Sequence, residues 1–494
     1  MENHIFKLDR DVIWNVFLIN ADMECIAEHK VPAVHTLRHT SQVCSAWRDL
    51  TLSSPSLWAR VINFDFLRGE GWRKEVLNRT GRSPLSVRGD TDQEVIIPLL
   101  AENWSRIRYL NLAFLRSAPE KFRQDTDLWH LLARPATVLE SFQLSLHVLK
   151  PEYWEPDQIV SPPDFTIFDN HAPLLKHFST SGINPNIGAD WSLQLRHLAL
   201  SIPIPVHELL EALSHLRLLE TFVSHAIIRG DAERSRTLPK ISLPQLKNIR
   251  IYSTMDITPN MIFLAQIEPV QGRVLTFDTD TKPNSPDGYI SDLRPISVTS
   301  KVLSMYSNQA GLGASTQLTL QLYEFVFGLS GFLPARRQFR FSLGFHPRFR
   351  GDDTLSQLLS ALYSPIFHHT RTLKLYVGEG CGLSPIDPNF INCIASFPSL
   401  DILYTDSTTL DFLLRLPEDV LKSAFPVMRE IQMRSLLMYE IAPVRTFIHS
   451  RSVLGVPISI LTVNGTEWWN SENSESLEEC FAARLGIGVP AGTR

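Results

Sequence analysis

The sequence predicts a mixed fold, α+β with α/β repeats: an all-helical N-terminal unit followed by a solenoid of short parallel strands alternating with helices. Three observations predict it. Up to about Ile62 the apolar residues recur at helical spacing. Beyond Phe64 they recur in phrases of one form (apolar, two residues, apolar, one residue, apolar), whose last two apolar members alternate as a strand requires. Between the phrases lie stretches such as VHELLEALSHLRLLE, again with apolar residues at helical spacing.

The first element is expected in KLDRDVIWNVFLIN, where Asp9 can cap a helix with Val12, Ile13, Val16 and Phe17 on one face, ending near Asn20. The polar, proline-containing stretch Ala21 to Val34 reads as a loop. A second helix is expected from about Val34, with Val43, Cys44, Trp47 and Leu50 forming a single apolar stripe. It breaks at Ser53, Ser54 and Pro55, where serine can cap and proline can occupy the first turn of a short helix carrying Leu57 and Trp58.

Four phrases are clear. They are Ile107, Leu110, Leu112; Leu139, Phe142, Leu144; Leu195, Leu198, Leu200; and Leu246, Ile249, Ile251. Degraded copies occur in APLLKHFST, TRTLKLYV, FPSLDILY and FPVMREIQM, with a weaker one at Leu219 and Phe222. The spacing fits the roughly 20 to 29 residue period of leucine-rich repeats. The pattern fades between about Thr254 and Arg337, which reads as a long surface insertion or loop. Its middle, TKPNSPDGY, is expected to be mobile. After Val463 a short helix through Leu477 to Leu485 and a frayed end are expected. The domain organisation is therefore a helical unit over 5–62, a leucine-rich-repeat-like region over 63–465, and a tail over 466–494.

Composition narrows the function classes. With 494 residues, 44% hydrophobic and 20% charged, the chain is that of an ordered protein, and a net charge of −5 gives no electrostatic case for nucleic acid. Five scattered cysteines without a CxxC pair indicate neither a disulfide framework nor a thiolate metal site, which fits a reducing cytoplasm or nucleus. No window approaches a membrane span, and no export signal precedes the glycosylation-like triplets at Asn78, Asn103 and Asn464. No catalytic, metal or cofactor residues are expected. AGLGAST at Ala310 to Thr316 lacks the glycine-lysine pair of a phosphate loop, and GLSGF at Gly328 to Phe332 lacks the last glycine of a hydrolase elbow and reads as a turn. His368 and His369 are adjacent, so their side chains diverge, and Trp468 with Trp469 is read as a cap on the repeats or a binding patch.

Taken in order, Leu8, Val12, Ile13, Val16 and Phe17, then Val43, Cys44, Trp47 and Leu50 in VCSAWRDL, then Leu57 and Trp58 in SPSLW, resemble the F-box, and most of all the version found in large fungal F-box families. The likeness spans about residues 5 to 62. Leu8 is followed by Asp9 and Arg10 where the family usually has proline, and the Ala21 to Val34 loop is long for a compact F-box. The repeats resemble the degenerate leucine-rich regions often joined to an F-box. The resemblance implies that these eleven residues dock on the Skp adaptor and, through it, on cullin, while the repeats select an unknown protein substrate for a ubiquitin ligase. A non-ligase interaction scaffold is the alternative, and an enzyme ranks third because no nucleophile, base and orienter stand together.

Overall fold

The computed structural model describes residues 9–23, 31–90, 93–148, 159–228, 238–253, 257–268, 270–279, 296–334, 337–344, 353–362, 367–471 and 480. Leu8, TKPNSPDGY and, apart from Cys480, the expected helix from Leu477 to Leu485 lie outside the described residues. Contacts divide the chain into two compact units, Met1–Ile204 with Glu211–His225, and Pro205–Leu210 with Ala226–Arg494.

The first unit begins with four helices, α1 (Arg10–Asn20), α2 (Ala33–Thr40), α3 (Ser45–Leu52) and α4 (Pro55–Trp58). Asp9 caps α1, its carboxylate accepting the Asp11 N–H at 3.0 Å. Pro55 opens α4 as its missing N–H allows. One expectation fails here. The predicted single helix from Val34 through Leu50 is two helices, and Val43 precedes the second, because Cys44 is extended (φ −157°, ψ 169°) and its Sγ accepts the Trp47 N–H as an N-cap. The break is held from both sides, since Ser41 donates to the Arg38 carbonyl at 2.6 Å and Arg48 donates back to the Ser41 carbonyl at 3.2 Å.

A ladder of seven parallel strands follows: β1 (Ile62–Asn63), β2 (Leu85–Gly89), β3 (Ile107–Arg116), β4 (Ser141–Val148), β5 (His177–Ser181), β6 (His197–Leu200) and β7 (Thr221–Ser224). Their register is the register of the phrases. Ile62 pairs with Val87, then Leu110, Phe142, Phe178, Leu198 and Phe222, one buried apolar residue per strand. The first apolar member of a phrase is buried too; Ile107 opens β3 itself, while Leu139, Leu175, Leu195 and Leu219 sit just before their strands. The ladder also extends one residue ahead of the strands: the Glu140, Lys176, Arg196 and Glu220 N–H groups each donate to the preceding phrase at 2.8 Å.

Phe168 closes the middle of this core. It sits edge-on to Phe142 (5.0 Å between centroids) and Trp191 (5.9 Å), although its backbone and those of Asp169 and Asn170 are all left-handed.

The second unit carries β8 (Asn248–Ser253), β9 (Val274–Thr279), β10 (Gln317–Tyr323), β11 (Val326–Leu333), β12 (Arg337–Gly344), β13 (Thr372–Val377), β14 (Ile402–Thr405), β15 (Glu430–Met433), β16 (Ile460–Val463) and β17 (Thr466–Asn470). Strands β13 to β16 form a parallel ladder at the degraded phrases, with Leu373, Leu403, Ile431 and Leu461 in one buried row. The described residues of the expected surface insertion between 254 and 337 are instead largely core. They hold the helices Thr258–Gln266 and Ile296–Ala310, and β10 and β11 run antiparallel as a hairpin turning at Glu324 and Phe325.

Strand β12 continues that meander, pairing antiparallel with β11 and parallel with β9, while β10 pairs parallel with β13. Thus GLSGF is a central strand and not a turn. Its glycines are there for room: a Cβ on Gly331 would come within 2.6 Å of Leu312 and Leu318, and one on Gly328 within 2.9 Å of Gln321. In AGLGAST, Gly311 takes φ 72° at the end of a helix, and the buried Ser315 hydroxyl lies 2.7 Å from the Gln317 carbonyl and 2.8 Å from the Phe332 carbonyl, so the stretch is a structural corner.

Candidate functional site

The structure divides ten of the eleven sequence-nominated residues into two groups, Leu8 lying outside the described residues. Phe17, Leu57 and Trp58 are buried. Phe17 meets Trp47 edge-on, with ring centroids 5.2 Å apart. The Trp58 Nε1–H donates to the Thr51 carbonyl at 3.0 Å, and its ring lies 6.3 Å from Trp72 with the Arg79 guanidinium 4.6 Å over it. These three residues build the unit from within.

The others reach its surface. Val12 and Val16 are 46% and 45% exposed, and Val43 is 62% exposed. Ile13, Cys44, Trp47 and Leu50 are half-buried. The sequence reading did not nominate Ile19, yet it is 68% exposed and lies three residues after Val16 on the same face of α1. Its position at the last turn, beyond the motif as it was matched, concealed it. Val12, Val16 and Ile19 thus form an exposed apolar stripe on α1, the helix whose Phe17 packs on Trp47. An amphipathic helix ordinarily buries its apolar face; this one buries Phe17 and leaves three aliphatic side chains to water.

The acid and base chemistry elsewhere is that of structural pairs. A hydrogen bond from Arg108 at 2.7 Å, with Lys176 at 3.5 Å, holds the Glu140 carboxyl below its ordinary range. Arg429 does the same for Asp401. Both carboxylates therefore stay ionised, the opposite of what a general acid needs. Burial pushes the Cys393 thiol up to about 12, which suppresses the thiolate. Among the described residues no group of three or more His, Cys, Asp or Glu could hold a metal ion, and no helix is long and apolar enough to cross a membrane. His368 and His369 sit in an exposed turn, and Trp468 and Trp469 lie half-buried on β17, which pairs antiparallel with β16.

The two parallel ladders, each with a buried apolar row and helices between strands, define a mixed α/β repeat protein of leucine-rich-repeat-like layout. The sequence matches no protein-family model and no curated protein. Among solved structures, it is similar to the leucine-rich repeat-containing protein LegL7 from Legionella pneumophila, over 77% of this chain and 93% of that one, at 12% identity and a TM-score of 0.26. The likeness is too loose to add detail to the ladders described above.

Proposed function

We propose that the chain is the substrate-recognition subunit of a Skp-cullin-F-box ubiquitin ligase, with α1 to α4 docking on the Skp adaptor and the strand ladders holding a target protein. The observation that carries this reading is the exposed stripe Val12, Val16 and Ile19, lying within a segment whose apolar residues follow the F-box order. Aliphatic and aromatic side chains grouped on one helix are the material of a protein interface, where a few desolvated anchors carry most of the affinity. The chemistry of such a subunit is positional: it holds a target beside a ubiquitin-conjugating enzyme supplied by the complex, and the rate gain comes from proximity.

The non-ligase scaffold stays as a second reading, because Leu8 is followed by Asp9 and Arg10 where the F-box usually has proline. Affinity purification of the tagged chain after proteasome inhibition, followed by mass spectrometry, separates the two. Recovery of Skp and cullin together, with ubiquitinated proteins, supports the ligase subunit. Skp without cullin favours the scaffold, and the absence of Skp overturns both.

A further inference from the structure

Against the polar face of the first unit's ladder lies a cavity of about 390 Å3 with three arginines in its lining. Arg60 comes from the segment after α4, Arg88 from β2 and Arg108 from β3, while Tyr109 and Asn111 form part of the wall. Two of the three are already oriented. Arg88 donates through Nη1 to the Met23 carbonyl at 3.3 Å; Arg108 donates through Nε to Glu140 at 2.7 Å, with its guanidinium 5.2 Å from the Tyr109 ring centroid. A guanidinium has five N–H donors, so these bonds fix the forks without exhausting them. Asp22 also lines the cavity, and Glu140 is shared with Lys176. The lining thus sets three cations, Arg60, Arg88 and Arg108, against one carboxylate, Asp22, in a chain whose net charge is −5.

The strand register continues the site. Arg88 is paired with Asn111, Asn111 with Gln143 and Gln143 with Ser179. None of these four is buried, whereas their strand neighbours Val87, Leu110, Phe142 and Phe178 all are, so the row lies on the face opposite the core. It offers one hydrogen-bonding side chain per strand, at the ~4.8 Å spacing of a sheet.

We propose that the arginine cavity and this row form a binding site for an acidic peptide, with one carboxylate seated among Arg60, Arg88 and Arg108 and the extended chain crossing Asn111, Gln143 and Ser179. Planar forks match carboxylates in two-pronged geometry, which lysines in the same place would not. The site deepens the receptor reading, and rests on it only in making the peptide part of a substrate.

The test is fluorescence anisotropy of the full chain with three labelled peptides of one sequence: a glutamate-rich form, its glutamine counterpart, and a version with phosphoserine in place of glutamate. The proteins are wild type, Arg60→Glu, and Arg82→Glu as a control for general charge, since Arg82 is exposed and outside the cavity. The expected result is that the glutamate peptide binds, that glutamine weakens it tenfold or more, and that Arg60→Glu does the same while Arg82→Glu does not. Equal binding of the glutamate and glutamine forms, equal loss in both variants, or binding of the phosphoserine form alone would overturn the proposal. Skp binding is measured in the same preparations, so loss of Skp with peptide binding intact counts against the ligase reading only.

Discussion

Arg451 reaches across to Phe425, its Nη2 donating to the Phe425 carbonyl at 2.9 Å, and thereby holds a residue whose φ of 52° is left-handed and strained for a phenylalanine. The same guanidinium donates through Nη1 to the Leu421 and Ala424 carbonyls, both at 2.7 Å, and is fully buried. Burial lowers its pKa to about 10, which still leaves it charged at neutral pH. Arg273 does comparable work on the carbonyls of Leu243, Leu246 and Glu268. Each arginine takes the place of backbone donors where the chain turns between repeat elements.

Arg451→Met is therefore expected to destabilise the second unit by about 3 kcal/mol, because buried acceptors lose their donor and the turn at Phe425 loses its tie. Arg451→Lys should cost less, since an ammonium keeps three donors in a worse geometry. Urea unfolding of the three proteins checks this, and equal midpoints for Met and wild type would contradict it.

Phe168 is expected to be among the costliest truncations in the first unit. Its ring touches those of Phe142, Phe178, Trp104 and Trp191, and it is fully buried. Phe168→Ala should lower stability by about 3 to 5 kcal/mol, the usual range for a buried aromatic. Tryptophan fluorescence follows the loss directly, because Trp191 and Trp104 border the cavity that the substitution leaves.

Glu140 gives the first unit an acid-sensitive link. Its pKa is lowered in the folded state, chiefly by the Arg108 hydrogen bond, so the stabilisation is present above the unfolded carboxylate pKa and is lost as pH falls through the folded one. Thermal melts of wild type should therefore fall as pH drops below the ordinary glutamate value near 4.3. In Glu140→Gln that fall should be shallower, with a lower melting temperature at pH 7. Parallel curves for the two proteins would show the pair to be inert.

Much of this fold was legible because the repeat phrase carries its own strand. Ile249 with Ile251, or Leu198 with Leu200, alternates in a way that a helix does not use, and the structure places each pair on the core face. The stretch from 254 to 337 was misread because β10 and β11 form a hairpin, which breaks the repeat period, and because Gly328 and Gly331 look like turn residues when they are strand residues beneath close neighbours. The break between α2 and α3 was hidden in Cys44, a residue seldom counted among N-caps. At the candidate site, periodicity identified the apolar residues of α1 without telling which side they faced. That depends on Trp47, which lies thirty positions along the chain from Phe17 and takes Phe17 inward while Val12 and Val16 stay out.

That division decides how adaptor docking should be probed. Phe17 is a natural choice from the motif, but it is 1% exposed and packed on Trp47, so Phe17→Ala is expected to cost about 3 to 5 kcal/mol in folding and to confound any binding result. Val16→Glu puts a charge on the exposed stripe, and on the free chain it should change stability by no more than about 0.5 kcal/mol, as for ordinary surface positions. In a complex with Skp the same carboxylate would be desolvated without a partner. The expected loss is at least tenfold in affinity, since hot-spot residues are worth about 2 kcal/mol or more and 1.4 kcal/mol is already tenfold. Val12→Glu should act alike, and Val453→Glu, at an exposed valine of the second unit, should leave Skp binding unchanged. Calorimetric titration of Skp into each folded variant reads all of these. If Val12→Glu and Val16→Glu bind Skp as wild type does, the α1 stripe is not the docking surface and the proposed ligase role loses the observation that carries it.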